Sequence, residues 1–171
     1  SLPIALGIGD FDTLNYESAM TYLKPNQIVR LNTHKDQSDT EAAVEYMQKL
    51  GFDEIIILGS LSGRYDHTHA LLLLTNRYPK CKVYIEDENN FVTYLGKGNH
   101  LIQKQEFTYV GFFGFPEAVV SLDNSAYPMK KMKLSFFETK AISNELLERV
   151  VSIDVHKGGV LMVQSRDNSD D

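Results

Sequence analysis

The sequence of 171 residues contains one cysteine, no tryptophan and only five prolines. The single Cys81 cannot form an intramolecular disulfide, which favours a protein of the reducing cytoplasm. The longest wholly apolar stretches, such as Ile55–Leu58 and Leu71–Leu74, are far too short to cross a bilayer. The first residues also lack the charged and then apolar pattern of a secretory signal peptide. We therefore expect a cytoplasmic protein with no membrane partner.

The sequence is also poor in basic residues, with 17 Lys and Arg against 23 Asp and Glu and a net charge of −6. Because phosphate backbones attract basic surfaces, this balance argues against a nucleic-acid partner. The acidic surplus lies in residues 1–88, which hold 13 acids and 8 bases. Such a surplus is usually a solvated face, but carboxylates grouped at strand ends can instead hold a divalent cation.

The first half of the chain alternates short apolar runs with amphipathic stretches, which predicts βαβ units and a parallel sheet. The predicted strands are Pro3–Gly9, Gln27–Leu31, Glu54–Leu58 and Lys82–Glu86, and the predicted helices are Asp12–Lys24, a helix starting after Ser38, and Asp66–Arg77.

Two of these elements carry a more detailed expectation. Ser38 and Glu41 have the spacing of a capping box, and Gly51 is placed to end the helix that begins there. The Glu54–Leu58 run is nearly continuous in apolar residues, which is typical of a strand buried on both faces. The side chains that the helix is expected to bury are Ala43, Tyr46, Met47 and Leu50.

After residue 88 the pattern changes to short β-rich segments separated by turn residues, without a long amphipathic helix. The segments are Phe91–Leu95, Gly98–Gln103, Thr108–Phe113, Ala118–Leu122, Lys131–Phe137, Val150–Val155 and Val160–Gln164. This spacing is typical of an all-β sandwich or barrel. The sequence therefore predicts an α/β plus all-β protein. Residues 1–88 would form a Rossmann-like parallel-sheet domain, and residues 89–171 a β-sandwich domain.

Four aspartates follow the first two predicted strands. Asp10 and Asp12 come after the first strand, and Asp36 and Asp39 come after the second, where a helix begins. Because the carboxyl ends of parallel strands meet at one edge of a sheet, these carboxylates are expected to lie together and could hold Mg²⁺. Taken alone, the first pair is equally well explained as a polar turn, and the second pair as acids that favour the helix dipole.

A Gly/Ser loop, from Gly59 to Gly63, joins the third predicted strand to the next helix. The backbone N–H groups of such a loop can bind phosphates, and Arg64 adds a cation with forked donors. The alternative is a flexible connection, with Asp66 serving only as a helix cap. His67 and the next histidine stand two residues apart on a helix and do not face one site, which excludes a zinc site.

In the second half, Ser143-Asn144-Glu145 and Tyr127-Pro128-Met129 are turn-like when taken alone. No Ser/His/Asp or Cys/His set suggests nucleophilic catalysis. The carboxylates and the Gly/Arg loop at one sheet edge instead predict metal-assisted phosphoryl chemistry, in which the protein positions groups and neutralises charge.

These motifs, in this order, resemble those of the thiamine pyrophosphokinase family. The family pattern is Gly-Asp-Phe-Asp-Ser, Lys-Asp-x-x-Asp, Gly-Gly-Arg-x-Asp-His and, in a β domain, Ser-Asn-Glu. The matching stretches here are Gly9–Thr13, Lys35–Asp39, Ser62–His67 and Ser143–Glu145, and Tyr127–Met129 and Gly159–Leu161 resemble two further elements. Thr13 and Ser62 depart from the pattern but keep small side chains. Each motif alone is modest, but four in order along nearly the whole chain are specific.

The resemblance implies transfer of the terminal pyrophosphate of ATP to the hydroxyethyl oxygen of thiamine, which gives thiamine diphosphate and AMP. It implies that the catalytic and Mg²⁺-binding carboxylates are Asp10, Asp12, Asp36 and Asp39, with Asp39 a candidate to accept the alcohol proton. It implies that ATP, the co-substrate, contacts Gly59, Gly63, Arg64, Asp66 and His67, and that thiamine contacts Ser143 and Asn144.

The resemblance also implies a homodimer with active sites at the subunit interface. The family's preceding strand and helix, with an Asp-Gly-Gly loop that helps to hold ATP, have no counterpart in this sequence, so we expect residues 1–88 to lack their first strand–helix unit. Two rival functions are a Mg²⁺-dependent nucleotide phosphohydrolase and a non-catalytic thiamine-binding or dimerisation module.

Overall fold

The computed structural model describes residues 3–11, 16–32, 36–59, 61 and 64–167. The chain divides into two compact units, Ser1–Asp53 and Glu54–Asp171. The predicted boundary after residue 88 lies inside the second unit, and a division of function at that point stays a prediction. None of the helices in the described ranges is long and apolar enough to span a membrane.

The first unit contains a pair of short parallel strands. β1 (Gly7–Gly9) pairs with β2 (Ile28–Arg30), so both predicted strands are present but shorter than expected. Of the predicted helix Asp12–Lys24, the described residues form α1 (Tyr16–Ala19) only. A 3-10 turn, Pro25–Gln27, leads into β2.

The main helix of the first unit is α2 (Asp39–Lys49), and its predicted cap is confirmed. The backbone N–H of Glu41 donates to Ser38 Oγ at 3.2 Å, and Gly51 follows the helix with a φ of +91°, a conformation that favours glycine. The predicted buried face is wrong, because Ala42 and Val44 are buried instead. The first turn of α2 lies against β1, so burial is greatest near its start and Leu50 is 58% exposed. The other side chains expected to be buried, which are Ala43, Tyr46 and Met47, are only half-buried.

The second unit is a seven-stranded mixed sheet with one helix. Its elements are β3 (Glu54–Leu58), α3 (Tyr65–Arg77), β4 (Lys82–Glu86), β5 (Asn90–Leu95), β6 (Gly98–Gln103), β7 (Tyr109–Leu122), β8 (Met129–Ser135) and β9 (Val150–Ser165). The strand order is β3-β4-β5-β9-β7-β8, and β6 also pairs with β9.

The parallel part of this sheet is small. Only β3 and β4 are parallel, and β5 pairs antiparallel with β4 and joins them directly to the antiparallel strands. The structure therefore has a mixed sheet and few helices, in place of the predicted parallel sheet. It does not confirm a Rossmann-like parallel sheet followed by a separate β-sandwich, because the sheet of the first unit has two strands and the other parallel pair belongs to the large sheet.

The prediction that β3 is buried on both faces is wrong. Ile55 and Ile57 are half-buried, whereas Ile56 and Leu58 are 57% and 67% exposed. β3 lies at the end of the strand order, and α3 packs against β4 and β5. Burial along β3 therefore alternates, as expected for an edge strand with one covered face.

The centre of the sheet is the pairing of β7 with β9, two strands of 14 and 16 residues. The sequence predicted four short strands here, because Phe115-Pro116 and Gly158-Gly159 resemble turns. Both strands instead continue past these residues, and their register shifts between Gly114 and Ala118. Their inward side chains build most of the core, which includes Val110, Phe112, Val120, Leu122, Ile153, Val155, Val160 and Met162.

The bend in these strands depends on Gly158, which gives the first prediction. Its φ is +68°, and a Cβ there would overlap the carbonyl oxygen of Glu117. Gly158→Ala should therefore lower the free energy of unfolding by roughly 2–4 kcal/mol, measured by urea denaturation. Gly96→Ala is the matched control, because its Cβ would make an ordinary 3.6 Å contact with Tyr94. Equal stability of the two variants would contradict this account of the bend.

Candidate functional site

Asp10 follows the carboxyl end of β1, and the carboxylate of Asp39 lies beside the residue before it. Gly9 is buried, and a Cβ placed on it would lie 3.2 Å from Asp39 Oδ2. Asp10 follows directly, and Phe11 then has a φ of +57°. The absence of a side chain at Gly9 therefore leaves room for the carboxylate of Asp39 beside the turn that carries Asp10.

The structure describes one of the other two predicted carboxylates. Asp36 is exposed and lies before the cap of α2, and Asp12 is outside the described residues, as is Lys35. The described ranges contain no group of three or more side chains suited to a metal ion. Asp10 and Asp39 offer the hard oxygen donors that Mg²⁺ prefers, so their chemistry fits this ion.

The start of α3 carries the predicted phosphate-binding residues. Gly59 follows β3 with a φ of +69°, and its N–H donates to Glu86 O at 2.8 Å. Gly63 is outside the described residues. Arg64 is the N-cap residue of α3, and Asp66 lies in its first turn, so Asp66 is not itself the cap.

Arg64 and Asp66 form a two-pronged ion pair. Arg64 Nη2 donates to Asp66 Oδ2 at 2.6 Å, and Nε donates to Oδ1 at 3.2 Å. This hydrogen bond lowers the pKa of the Asp66 carboxyl and raises the pKa of the Arg64 guanidinium. Both side chains are exposed, so the pair fixes the direction of the guanidinium more than it stabilises the fold. His67 is also exposed, and its backbone N–H donates to Arg64 O.

A pocket of about 380 Å³ lies on the face of β7 and β9 opposite the core. Its floor comes from alternate residues of the two strands, because successive side chains of a strand point to opposite faces. The lining residues are Tyr109, Gly111, Phe113, Ile142, Ser143, Val163, Ser165 and Asp167. The pocket therefore combines aromatic and aliphatic walls with three hydroxyl groups, one of them the phenol of Tyr109, and one carboxylate.

Ser143 stands at the top of an arch over this floor. The backbone of Ala141 accepts from Phe112 N–H at 2.9 Å, and Asn144 exchanges two backbone hydrogen bonds with Val110 at 2.7 and 3.0 Å. Between these anchors Ser143 has a φ of +54°. Within the described part of the chain its hydroxyl has no hydrogen-bond partner, so it is available in the pocket.

Asn144 is 4% exposed, and its amide is occupied inside the protein. Its Oδ1 accepts from the N–H groups of Tyr127 and Glu145, both at 2.9 Å. Its Nδ2 donates to Tyr127 O at 2.8 Å and to Ser125 Oγ at 3.4 Å. The predicted contact of Asn144 with a ligand stays a prediction.

Sequence reasoning did not find most of the pocket. Tyr109, Gly111 and Phe113 were within a predicted strand, but which face they line depends on the pairing of that strand with β9. The signal was their spacing of two residues, alternating with the buried Val110 and Phe112. The tail residues Ser165 and Asp167, which complete the pocket, gave no signal of their own.

The pocket and the start of α3 lie at the same end of the sheet. One row of paired residues crosses five strands, and it consists of Leu58, Glu86, Phe91, Gln164 and Val110. Gly59 follows this row on β3, and Ser165 and Tyr109 lie one position beyond it on β9 and β7. Gly59, where the connection from β3 to α3 begins, therefore lies at the same end of the sheet as Tyr109 and Ser165 of the pocket.

Comparison with known proteins gives one consistent result. The family profile described as thiamin pyrophosphokinase, catalytic domain, matches residues 1–85, and the profile for the vitamin B1 binding domain of the same enzyme matches residues 99–160. The chain is 27% identical to the thiamine pyrophosphokinase of Bacillus subtilis over 165 residues, which covers 93% of this chain and 77% of that one.

Solved structures agree with the sequence comparison. The crystal structure of the Bacillus subtilis thiamine pyrophosphokinase matches with a TM-score of 0.86 and 26% identity, over 96% of this chain and 79% of that one. A thiamin pyrophosphokinase family protein from Enterococcus faecalis matches with a TM-score of 0.84 and 26% identity, over 98% of this chain and 82% of that one.

The ion pair at the start of α3 gives the second prediction. Because Arg64 lowers the pKa of Asp66, carboxyl-carbon NMR should show Asp66 titrating below the ordinary aspartate value of about 3.9 in the wild type and closer to it in Arg64→Gln. The stabilisation from this pair is present above that pH and is lost as the pH falls through the lowered pKa. Lys49→Gln breaks a different ion pair, with Glu45 on α2, and is the control that should leave the titration of Asp66 unchanged. Identical Asp66 titrations in the wild type and Arg64→Gln would refute the pairing.

Proposed function

Because the chain belongs to the thiamin pyrophosphokinase family, we propose that its described site residues carry out that family's reaction. The reaction transfers pyrophosphate from ATP to thiamine. The hydroxyethyl oxygen of thiamine bonds to the β-phosphorus of ATP, the bond from that phosphorus to the α-phosphate oxygen breaks, and AMP leaves. The alcohol gives up its proton, and the second product is thiamine diphosphate.

The observation that carries the proposal is the pocket around Ser143. This residue belongs to the Ser-Asn-Glu motif and lies in the segment that matches the vitamin B1 binding domain. The pocket volume of about 380 Å³ is within the range of small-molecule sites. Thiamine has an apolar ring surface, hydrogen-bonding groups and a positive charge, and the lining offers a complement to each of these features.

Individual lining residues suit separate parts of thiamine. We assign ring packing to Tyr109 and Phe113, since the chain has no tryptophan and both rings line the pocket. The free hydroxyl of Ser143 suits a hydrogen bond to the aminopyrimidine. The carboxylate of Asp167 at the pocket lining suits the cationic thiazolium ring.

Asp10 and Asp39 are the residues that we assign to magnesium, together with Asp12 and Asp36 from the same motifs. The support is the packing of the Asp39 carboxylate over Gly9, beside the turn that carries Asp10. When bound, the ion supplies positive charge that offsets the charge of the phosphates. Asp39, at the start of α2, is also our candidate to accept the proton of the thiamine alcohol. A weak base is enough for this step, because the transition state of phosphoryl transfer is loose.

Arg64 and Gly63 are assigned to the phosphates of ATP, and Gly59, whose N–H already donates to Glu86 O, is assigned to the turn that begins this loop. Arg64 has five N–H donors, and Asp66 accepts from two of its nitrogens, so donors remain for an anion. Asp66 then acts by aiming the guanidinium, and His67 lies beside it on the same exposed helix start. We also propose a homodimer with active sites between its subunits, on the basis of the family resemblance. A cytoplasmic location is proposed because the chain has a single cysteine.

Product analysis tests the proposed function. The purified chain is mixed with thiamine and MgATP, and we expect equal amounts of thiamine diphosphate and AMP, with no AMP when thiamine is left out. ADP and phosphate formed without thiamine would indicate a phosphohydrolase. Thiamine binding without any turnover would indicate a binding module, and either result would replace the proposal.

Asp39→Asn tests the magnesium assignment. The change keeps the size of the side chain but removes its charge, so we expect kcat to fall roughly 10²-fold or more and the magnesium concentration needed for half-maximal rate to rise. Glu45→Gln is the matched control on α2, where Glu45 pairs with Lys49 at 2.6 Å, and should leave both quantities unchanged. A wild-type magnesium dependence in Asp39→Asn would show that this carboxylate is not a ligand.

A further inference from the structure

We propose that Asn144 is a positioning residue that holds the thiamine pocket in shape and does not itself bind thiamine. The inference rests on the proposed function, because it assigns a role at the same site. It differs from the direct contact with thiamine that the sequence motif suggests.

The hydrogen-bonding capacity of Asn144 is fully used before any ligand arrives. A side-chain amide has two N–H donors and one oxygen with two lone pairs. Nδ2 donates to Tyr127 O and Ser125 Oγ, and Oδ1 accepts from the N–H groups of Tyr127 and Glu145. Two N–H groups on one side and a carbonyl on the other leave one orientation of the amide. A bond from Asn144 to thiamine would therefore require one of these bonds to break.

The amide also joins two segments that the chain separates by 17 residues. Tyr127 has both its backbone N–H and its backbone carbonyl bound by Asn144. The neighbouring backbone bonds, Ala126 N–H to Glu145 O and Leu147 N–H to Asn124 O, align the same two segments. The side chain of Asn144 thus holds the arch to Ser125 and Tyr127, while its backbone holds the arch to Val110 on β7.

This arrangement explains the conformation of Ser143. A φ of +54° is unfavourable for serine and persists only when the surrounding structure holds it. Ser143 is followed directly by Asn144, whose side chain and backbone are both tied down. The amide of Asn144 therefore acts on thiamine through Ser143, by keeping that hydroxyl at the pocket.

Amide hydrogen exchange tests the arrangement without needing activity. The N–H groups of Tyr127 and Glu145 bond only to Asn144 Oδ1, so both should lose protection in Asn144→Ala. The N–H groups of Ala126 and Leu147, which bond to backbone carbonyls, are internal controls and should stay protected if the fold is intact. In the wild type, the Asn144 side-chain amide should be protected without thiamine and should keep its NMR shifts when thiamine is added.

Kinetics test the consequence for the substrate. We expect Asn144→Ala to raise the KM for thiamine roughly tenfold and to change the KM for ATP by less than about twofold. Asn144 and Ser143 both act on thiamine through the hydroxyl of Ser143. Ser143→Ala should therefore raise the KM for thiamine much less in the Asn144→Ala background than in the wild type. Gly111→Ala is the matched control. Its methyl would make ordinary contacts of 3.6–3.8 Å with Phe113 in the floor and with Ala141 O and Ile142 Cα in the arch, so it should raise the same KM without altering the exchange of Tyr127 and Glu145.

Three outcomes would overturn the inference. One is a large shift of the Asn144 side-chain amide on addition of thiamine, which would indicate direct binding and needs no variant. Another is additive effects of Ser143→Ala and Asn144→Ala. A third is an active wild type whose thiamine KM does not change in Asn144→Ala. A wild type that makes no thiamine diphosphate would instead refute the proposed function, and the inference would fall with it.

Discussion

The pairing of β7 with β9 is the constraint on which the rest of the second unit depends. β5 and β6 attach to β9, and β8 attaches to β7, so nearly every antiparallel strand is placed by these two. Where the register of this pair shifts, the backbone of Gly158 on β9 comes close to Glu117 on β7, and Gly114 on β7 comes close to Leu134 on β8. Two flat strands of this length would not bend, and the side chains from the two halves of each strand could not then pack in one core.

The same pairing also builds the pocket. Tyr109, Gly111 and Phe113 line it because their neighbours Val110 and Phe112 are in the core, and a shift of one residue would exchange the two sets. Gln164 of β9 is bonded to the end of β6 and to the segment that leads from there into β7. It is 2% exposed, accepts from Gln105 N–H and donates to Gln103 O, so moving β9 would leave a buried amide unsatisfied. Such a loss costs about 1–3 kcal/mol for each unpaired group.

Local signals in the sequence predicted the elements that depend on neighbours in the chain. The cap at Ser38, the helix α3 and the strand Lys82–Glu86 all follow from spacing over a few residues, and the structure has them. Long-range pairing was not accessible in the same way. Phe115-Pro116 and Gly158-Gly159 resemble turns, and only the partner strand shows that they are bends within β7 and β9.

The residues of the candidate site also differ in how far they could be placed from local sequence. Asp10 and Asp39 could be placed together from the sequence, because the carboxyl ends of parallel strands share an edge, and the packing of Asp39 over Gly9 agrees with this. The partners of Asn144 could not be foreseen, since Ser125 and Tyr127 lie 19 and 17 residues away and nothing in the motif names them. A motif therefore identifies which residues matter at a site more readily than it distinguishes a ligand from a support.

A buried support has a physical advantage over one more direct contact. A hydrogen bond from Asn144 to thiamine would replace bonds to water on both partners and would gain little net free energy. The same amide used inside the protein fixes Ser143 in a conformation that serine does not favour alone. The ordering cost is then met during folding and not at each binding event, so the remaining contacts contribute more of their energy to affinity. In the arrangement that we propose, the affinity of this pocket for thiamine depends on an amide that thiamine need not touch.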